Sequence, residues 1–317
     1  MDRNQLKRSI TTSRYLIVNA DDFGLSDGVN EGIVKAWCDG VVTSTSVLIN
    51  IEGAPERAAA AHAAHPELPM GLHLNITTGR PVLPVDQVPT LVDADGRFHS
   101  YDTIIKYLPN ISLSELRAEL NAQAELLVAS GVQFDHIDYH FHLMALYTPF
   151  WPAVRELALK YDVPVRQPVP ESLYGQVKLK GRSAATIAVI KSIIAFGIRH
   201  PILTMRLVSH MMPAAYKRQA ALLEADGVTA TDWFIDAYYG NATLDRFISV
   251  IRQLPPGVSE VAVHPAIVDD QLHSVGAIYV EERAEELSVL LDPRVRDAFI
   301  EYNVQPVDFS FVKSMST

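Results

Sequence analysis

The chain has a single cysteine, Cys38, in 317 residues. No internal disulfide framework can staple it, and a reducing compartment suits it. Basic residues are in the minority, with 27 Lys and Arg against 37 Asp and Glu and a formal charge of −10. That balance argues against a general nucleic-acid binder, which would need a basic surface, and leaves room for a local basic patch. Long apolar runs are missing too. The most apolar stretch, residues 184–212, is interrupted by Lys191, Arg199, Pro201 and Arg206. It falls short of the roughly 18–20 uninterrupted apolar residues of a membrane span. Residues 1–14 read as a polar, charged tail without the apolar core of a signal peptide. The expectation is a cytoplasmic protein.

What is present is an ordinary globular composition, 48% hydrophobic and 20% charged, enough for one large domain or two ordinary ones. Strand and helix patterns alternate along it. Residues 15–20 form an apolar strand that leaves into a loop at Asp21-Asp22-Phe23-Gly24. Residues 28–39 have a helical period, with Val29, Ile33, Val34 and Trp37 on one stripe. Strand patterns follow at 43–49, 71–76, 163–167, 231–235 and 259–265, and helical ones at 55–64, 114–130, 149–161, 217–224, 244–254 and 281–291. Ser112-Leu113-Ser114-Glu115 is a capping-box pattern, and 79–99 is a loop rich in Pro, Asp and Gly. Repeated strand–helix units imply a parallel sheet covered by helices. Seven or so strands suggest a closed or nearly closed βα barrel over residues 15–317, with an apolar helical insertion at about 173–225. A doubly wound open sheet is the second choice.

The most informative segment is Asp135-His136-Ile137-Asp138-Tyr139-His140-Phe141-His142-Leu143. On a strand, successive side chains point to opposite faces. His136, Asp138, His140 and His142 would then share one face, and Ile137, Tyr139, Phe141 and Leu143 the other. A buried face lined with metal-ligand chemistry is costly unless something binds there. Other strand ends carry similar residues: Asp21 and Asp22, His73 with Asn75 on its face, Arg166 and His264. In a parallel α/β fold these ends converge on one rim, where active sites form. Two imidazoles and a carboxylate with open positions suit a catalytic divalent metal.

At these residues the sequence also resembles a known family. Asn19-Ala20-Asp21-Asp22-Phe23-Gly24, Thr43-Ser44-Thr45, Gly71-Leu72-His73, His136-Ile137-Asp138-Tyr139-His140-Phe141-His142 and Val263-His264-Pro265-Ala266 occur in the order found in YdjC/ChbG-type carbohydrate deacetylases. Gly79-Arg80-Pro81-Val82-Leu83-Pro84 and Leu91-Val92-Asp93-Ala94-Asp95-Gly96-Arg97-Phe98 look like the hopanoid-associated branch. The resemblance implies a distorted βα barrel that removes an acetyl group from an N-acetylated amino sugar with one divalent metal. Its ligands would be Asp22, His73 and His140, its general base Asp21 and its general acid His264. On that reading Asp21 could take a proton from water, and His264, with an ordinary pKa of ~6.5, could give one to the leaving amine. Arg166 could hold Asp21 ionised or bind the developing oxyanion. Tyr139 stands where the family usually has Ser. Asp138, His142 and Asn75 would then orient an imidazole or face the substrate.

Zn and Mg are the leading metals, with Mn, Co and Ni compatible. The substrate would be a small chito-oligosaccharide or an N-acetylglucosaminyl lipid of the hopanoid type. Lys191, Arg199, Arg206, Lys217 and Arg218 would suit peripheral contact with an anionic membrane, whereas a buried hairpin or a homodimer interface would use the same apolar surface. Two rival readings are a non-catalytic sugar-binding or regulatory protein and a phosphoesterase, which normally uses two metals and more carboxylates.

Overall fold

The architecture is built around one long buried strand in a computed structural model that describes residues 13–170, 201, 205, 209–210, 212–236, 238–275 and 279–315. This strand, β1 (Arg14–Phe23), is buried from its second residue onward. An apolar strand buried on both faces belongs in a parallel sheet with helices outside. The chain continues through α1 (Asp27–Cys38), β2 (Ser44–Val47), α2 (Ala54–Ala64), β3 (Met70–Leu74), α3 (Leu113–Ala129), β4 (Ile137–Tyr139) and α4 (Trp151–Tyr161). Further along the chain come α5 (Pro213–Ala225), β5 (Trp233–Ile235), α6 (Leu244–Gln253), β6 (Gly257–Val263), α7 (Glu281–Leu291), α8 (Pro293–Glu301), β7 (Val304–Pro306) and α9 (Phe309–Ser314).

The strands are parallel in the order β4-β3-β2-β1-β6-β5. β6 follows one edge of β1 from Arg14 to Ala20. The other edge is shared, with β7 beside Arg14–Leu16 and β2 beside the upper half from Asn19. The predicted strand at 163–167 contributes only single bridges: Val165 joins Ile137 on one side and Ala230 on the other, and Pro170 meets Phe234. These bridges link β4 to β5 and make a distorted (β/α) barrel. One contiguous apolar cluster runs from Leu16 to Val304.

The inside of the barrel is graded along β1. Tyr15 and Ile17, at the amino end, pack with Val258 against Phe309 and Val312 of α9. Asn19 and Asp21 follow on the same face by the period of two. The barrel is thus plugged with apolar groups at one end and polar at the other. His136 belongs to the plug. Its ring stacks on Phe309 at 3.7 Å and lies over Gly71, where a Cβ would meet the imidazole at 2.3 Å.

Several expectations are corrected. Arg14 pairs with Gly257 and Val304, so it belongs to the sheet and not to a tail. Asp21 and Asp22 lie within the carboxyl end of β1, which runs on to Phe23, and not in a loop after it. β4 ends at Tyr139, so His140 and His142 lie in a tight turn rather than on the strand. Ser112 caps α3 by accepting from Glu115 N, but the Glu115 carboxylate serves Thr90 N and Oγ1, and it is Thr90 Oγ1 that accepts from Ser112 N. Of residues 173–225, expected to form an apolar helical insertion, α5 is described, whereas Lys191, Arg199 and Arg206 lie outside the described residues. Among the described residues no helix is long and apolar enough to cross a membrane.

Candidate metal centre

Two adjacent carboxylates on a regular strand point to opposite faces. Here both face inward, because the register with β2 shifts between Ala20 and Phe23 and Asp22 takes a left-handed backbone with φ 73°. A bulge of this kind re-aims a side chain. Asp22 Oδ1 comes to 3.4 Å from His73 Nε2, and Asp21 Oδ2 to 4.0 Å from the same nitrogen.

His73 is held from behind. It faces Asp138 across β3 and β4 in register, and its Nδ1 donates to Asp138 Oδ1 at 2.7 Å, with Ser46 Oγ at 3.1 Å. That hydrogen bond fixes the tautomer and leaves Nε2 free to face Asp22. His140, the first residue after β4, brings Nδ1 to 2.9 Å from Asp22 Oδ1 and 3.3 Å from His73 Nε2. Its Nε2 meets Thr78 Oγ1 at 3.1 Å. Phe141 and His142 then take φ values of 54° and 55°, which turn the chain sharply away.

Asp22, His73 and His140, all buried, thus offer three ligand atoms within 4.8 Å of one another. Asp22 Oδ1 is buried and accepts no hydrogen bond, although two imidazole nitrogens converge on it. A buried oxygen without a partner is expensive. One carboxylate and two imidazoles are the donor set of an open, catalytic-type divalent site. The residues fit a metal. Charge agrees: burial works against ionisation of Asp22, yet His140 and Arg283 hold it well below the usual carboxylate range. Burial likewise opposes charge on His73, and Asp138 and Asp21 still push it up to about 10. The pocket has a strong demand for positive charge.

A second acidic cluster, Asp21 with His73 and Asp138, lies beside the first. A guanidinium already serves it. Arg166, 1% exposed, donates to Asp21 Oδ2 from Nη1 at 2.8 Å and to Asp21 Oδ1 from Nη2 at 2.7 Å. Nη2 also reaches Asp138 Oδ2 at 2.8 Å, and Nε donates to Glu260 at 2.7 Å. Each of its three nitrogens thus meets a carboxylate, and Arg166 holds Asp21 through two of them. Asn19 Nδ2 adds bonds to Asp21 at 2.8 Å and Asp138 at 3.1 Å.

On the far side, His264 follows β6 with its side chain 14% exposed. Its backbone N–H donates to Glu286 Oε2 at 2.5 Å, and Glu286 Oε1 accepts from Tyr279 Oη at 2.7 Å. Burial lowers His264 to about 4 and raises Glu286 to about 7. The ordinary imidazole pKa expected for His264 is therefore not what its surroundings give, and its resting form at neutral pH is uncharged. Tyr239 packs edge-on against the His264 ring at 5.1 Å and stacks on Tyr279 at 4.5 Å. Tyr101 stacks on Phe141 at 4.3 Å beside His140.

Two expected residues sit differently. His142 is stacked on Phe234 at 4.8 Å with Nε2 donating to Pro168 O at 3.1 Å, and burial drives it down to about 3. Asn75 spends its amide on the loop: Oδ1 accepts from Thr77 N and Thr78 N, and Nδ2 donates to Asn50 and Thr78 O. It reaches the site only through Thr78. Sequence reasoning missed Ser46, Glu260, Arg283 and Glu286. Two of them had a signal, since Arg283 and Glu286 fall with Leu287 and Leu290 on one helical stripe, a charged pair where apolar residues are expected.

The family described as YdjC-like protein matches residues 15–301. The chain belongs to the YdjC-like family. A carbohydrate deacetylase from Geobacillus stearothermophilus is 34% identical over 93% of this chain and 97% of its own length. One from Brevibacillus brevis is 33% identical over 93% and 98%. A crystal structure from Enterococcus faecalis, provisionally named a cellobiose-phosphate cleavage protein, superposes with a TM-score of 0.72 at 24% identity over 94% of this chain and 98% of that one. The YdjC-like fold is thus shared along almost the whole length.

Proposed function

We propose that this YdjC-like chain is a metal-dependent carbohydrate deacetylase that hydrolyses the N-acetyl group of an N-acetylated amino sugar. The observation that carries the reading is the convergence of two imidazoles on the unpartnered Asp22 Oδ1, with Asp21 alongside. Asp22, His73 and His140 would hold the ion, and two imidazoles favour Zn over Mg. A divalent ion there supplies Lewis-acid polarisation of the acetyl carbonyl and lowers the pKa of a water towards ~7.

The chain's own groups do the rest. Asp21, oriented by Arg166 and Asn19, is the general base that accepts the proton of the attacking water. His264 is the general acid that protonates the leaving nitrogen. Being neutral at rest, it must first take up a proton. The proton that Asp21 takes from water is the one the leaving nitrogen requires, so base and acid balance over a turnover. Asp138 keeps His73 aligned, and the aromatic side chains Tyr101, Phe141 and Tyr239 flank the site with surfaces suited to a pyranose ring.

N-acetylglucosamine units, in a chito-oligosaccharide or on a hopanoid-type lipid, are the substrates to test. Mass spectrometry of such a panel after incubation with Zn-loaded protein is expected to show loss of one acetyl group. A fully loaded protein that leaves every member of the panel intact would remove the deacetylase reading.

A further inference from the structure

We infer that Arg283 limits Asp22 to one ligand oxygen and so keeps a coordination position open for the reactants. The inference rests on the metal-centre reading above.

Arg283 stands in the first turn of α7 and is 4% exposed. Its guanidinium is fixed at two points: Nε donates to Tyr279 O at 2.7 Å, and Nη2 donates to Asp22 Oδ2 at 2.5 Å. Nη1 is buried without a partner. The two oxygens of Asp22 are therefore divided. Oδ2 belongs to the arginine, while Oδ1 faces His73 Nε2 at 3.4 Å and His140 Nδ1 at 2.9 Å with no hydrogen bond. Asp22 itself is held in the bulge at φ 73°.

The division matters chemically. A three-residue site works as a catalyst because positions remain open after the protein has supplied its atoms. A carboxylate that binds through both oxygens fills one of them. A buried guanidinium on Oδ2 prevents this. It also brings a positive charge close to the ion, which weakens metal binding through Coulomb repulsion. Arg283 on this account lowers affinity and preserves reactivity, the reverse of what a merely supportive residue does.

The test is titration of metal-free protein with Co²⁺, followed by visible ligand-field absorption, for wild type, Arg283→Met and Arg283→Gln. Arg283→Met is expected to bind Co²⁺ about tenfold tighter or more, the scale on which groups behind a ligand act. Its absorption per ion should fall as the coordination number rises, and its turnover should drop. Arg283→Gln keeps a donor for Oδ2 without the charge, so it should bind tighter than wild type with a wild-type spectrum. Equal or weaker affinity, or an unchanged spectrum in Arg283→Met, overturns the inference. Should that variant not fold, equal or weaker affinity in Arg283→Gln does so alone. Wild-type protein that takes up no Co²⁺ would instead sink the metal-centre reading, and this inference with it.

Discussion

Asp138 Oδ1 lies 2.7 Å from His73 Nδ1, and the two residues face each other in register across adjacent parallel strands. The sheet itself therefore sets the direction of the imidazole. Asp138 also accepts from Ser46 and reaches Arg166, so one buried carboxylate joins the metal cluster to the base-orienting cluster.

Asp138→Asn should therefore loosen the tautomer of His73 while leaving the shape of the core intact. Divalent-metal affinity of the metal-free protein is expected to fall about 10–100-fold, the usual effect of losing a group behind a ligand. Isothermal titration with Zn²⁺ checks this. An unchanged affinity would mean that strand packing alone aligns the ring.

Arg166 is the counter-charge for Asp21, Asp138 and Glu260 at once. Arg166→Met leaves those carboxylates buried without it. Removing one partner of a buried ionic cluster typically destabilises by about 3–5 kcal/mol. Denaturant unfolding of the metal-free protein should show a loss of that order, and a loss within experimental error would mean that the cluster relaxes or takes up protons at little cost.

The pH dependence of stability has a definite sign at Glu286, which is raised from 4.5 to about 7 by burial. Folded protein keeps this proton up to about 7, whereas the unfolded chain releases it near 4.5. The associated stability is thus present below 4.5 and lost as pH rises through 7. Glu286→Gln should flatten the unfolding free energy across that window. His264, lowered from 6.5 to about 4, acts oppositely and removes stability as pH falls from 6.5 to 4 in both proteins. Urea midpoints measured in parallel isolate the difference, and identical slopes for the two proteins would contradict it.

His264→Ala should separate binding from chemistry. The backbone N–H that serves Glu286 survives the substitution. Metal affinity is expected to stay within a few-fold of wild type, while kcat falls about 10²–10⁴-fold, the range for a lost general acid. A variant with wild-type kcat would take His264 out of the mechanism.

Much of this arrangement was legible in the sequence because it follows strand periodicity. His73 and Asp138 sit on inward faces of neighbouring strands, and Arg166 and His264 follow short apolar runs. What escaped reading depends on departures from that period. The inward turn of both Asp21 and Asp22 needs a bulge that no alternation announces. His142 was assigned to the face of Asp138 and leaves it because two successive residues adopt left-handed backbones. The strand at 163–167 shrank to single bridges because Val165 alone meets both neighbours there. β7, three residues ending in Pro306, is too short to show a pattern. Arg283 was visible as a charge on a buried helical stripe, but only the fold shows that it meets Asp22.

Asp22, His73 and His140 are proposed to hold a divalent ion required for deacetylation. The most direct measurement pairs metal stoichiometry with acetyl loss from an N-acetylglucosamine oligosaccharide, for wild type, Asp22→Ala and His140→Ala at matched folded concentration. Metal occupancy and acetyl loss are predicted to vanish together in both variants. Full occupancy with near-wild-type turnover in either one would contradict the account.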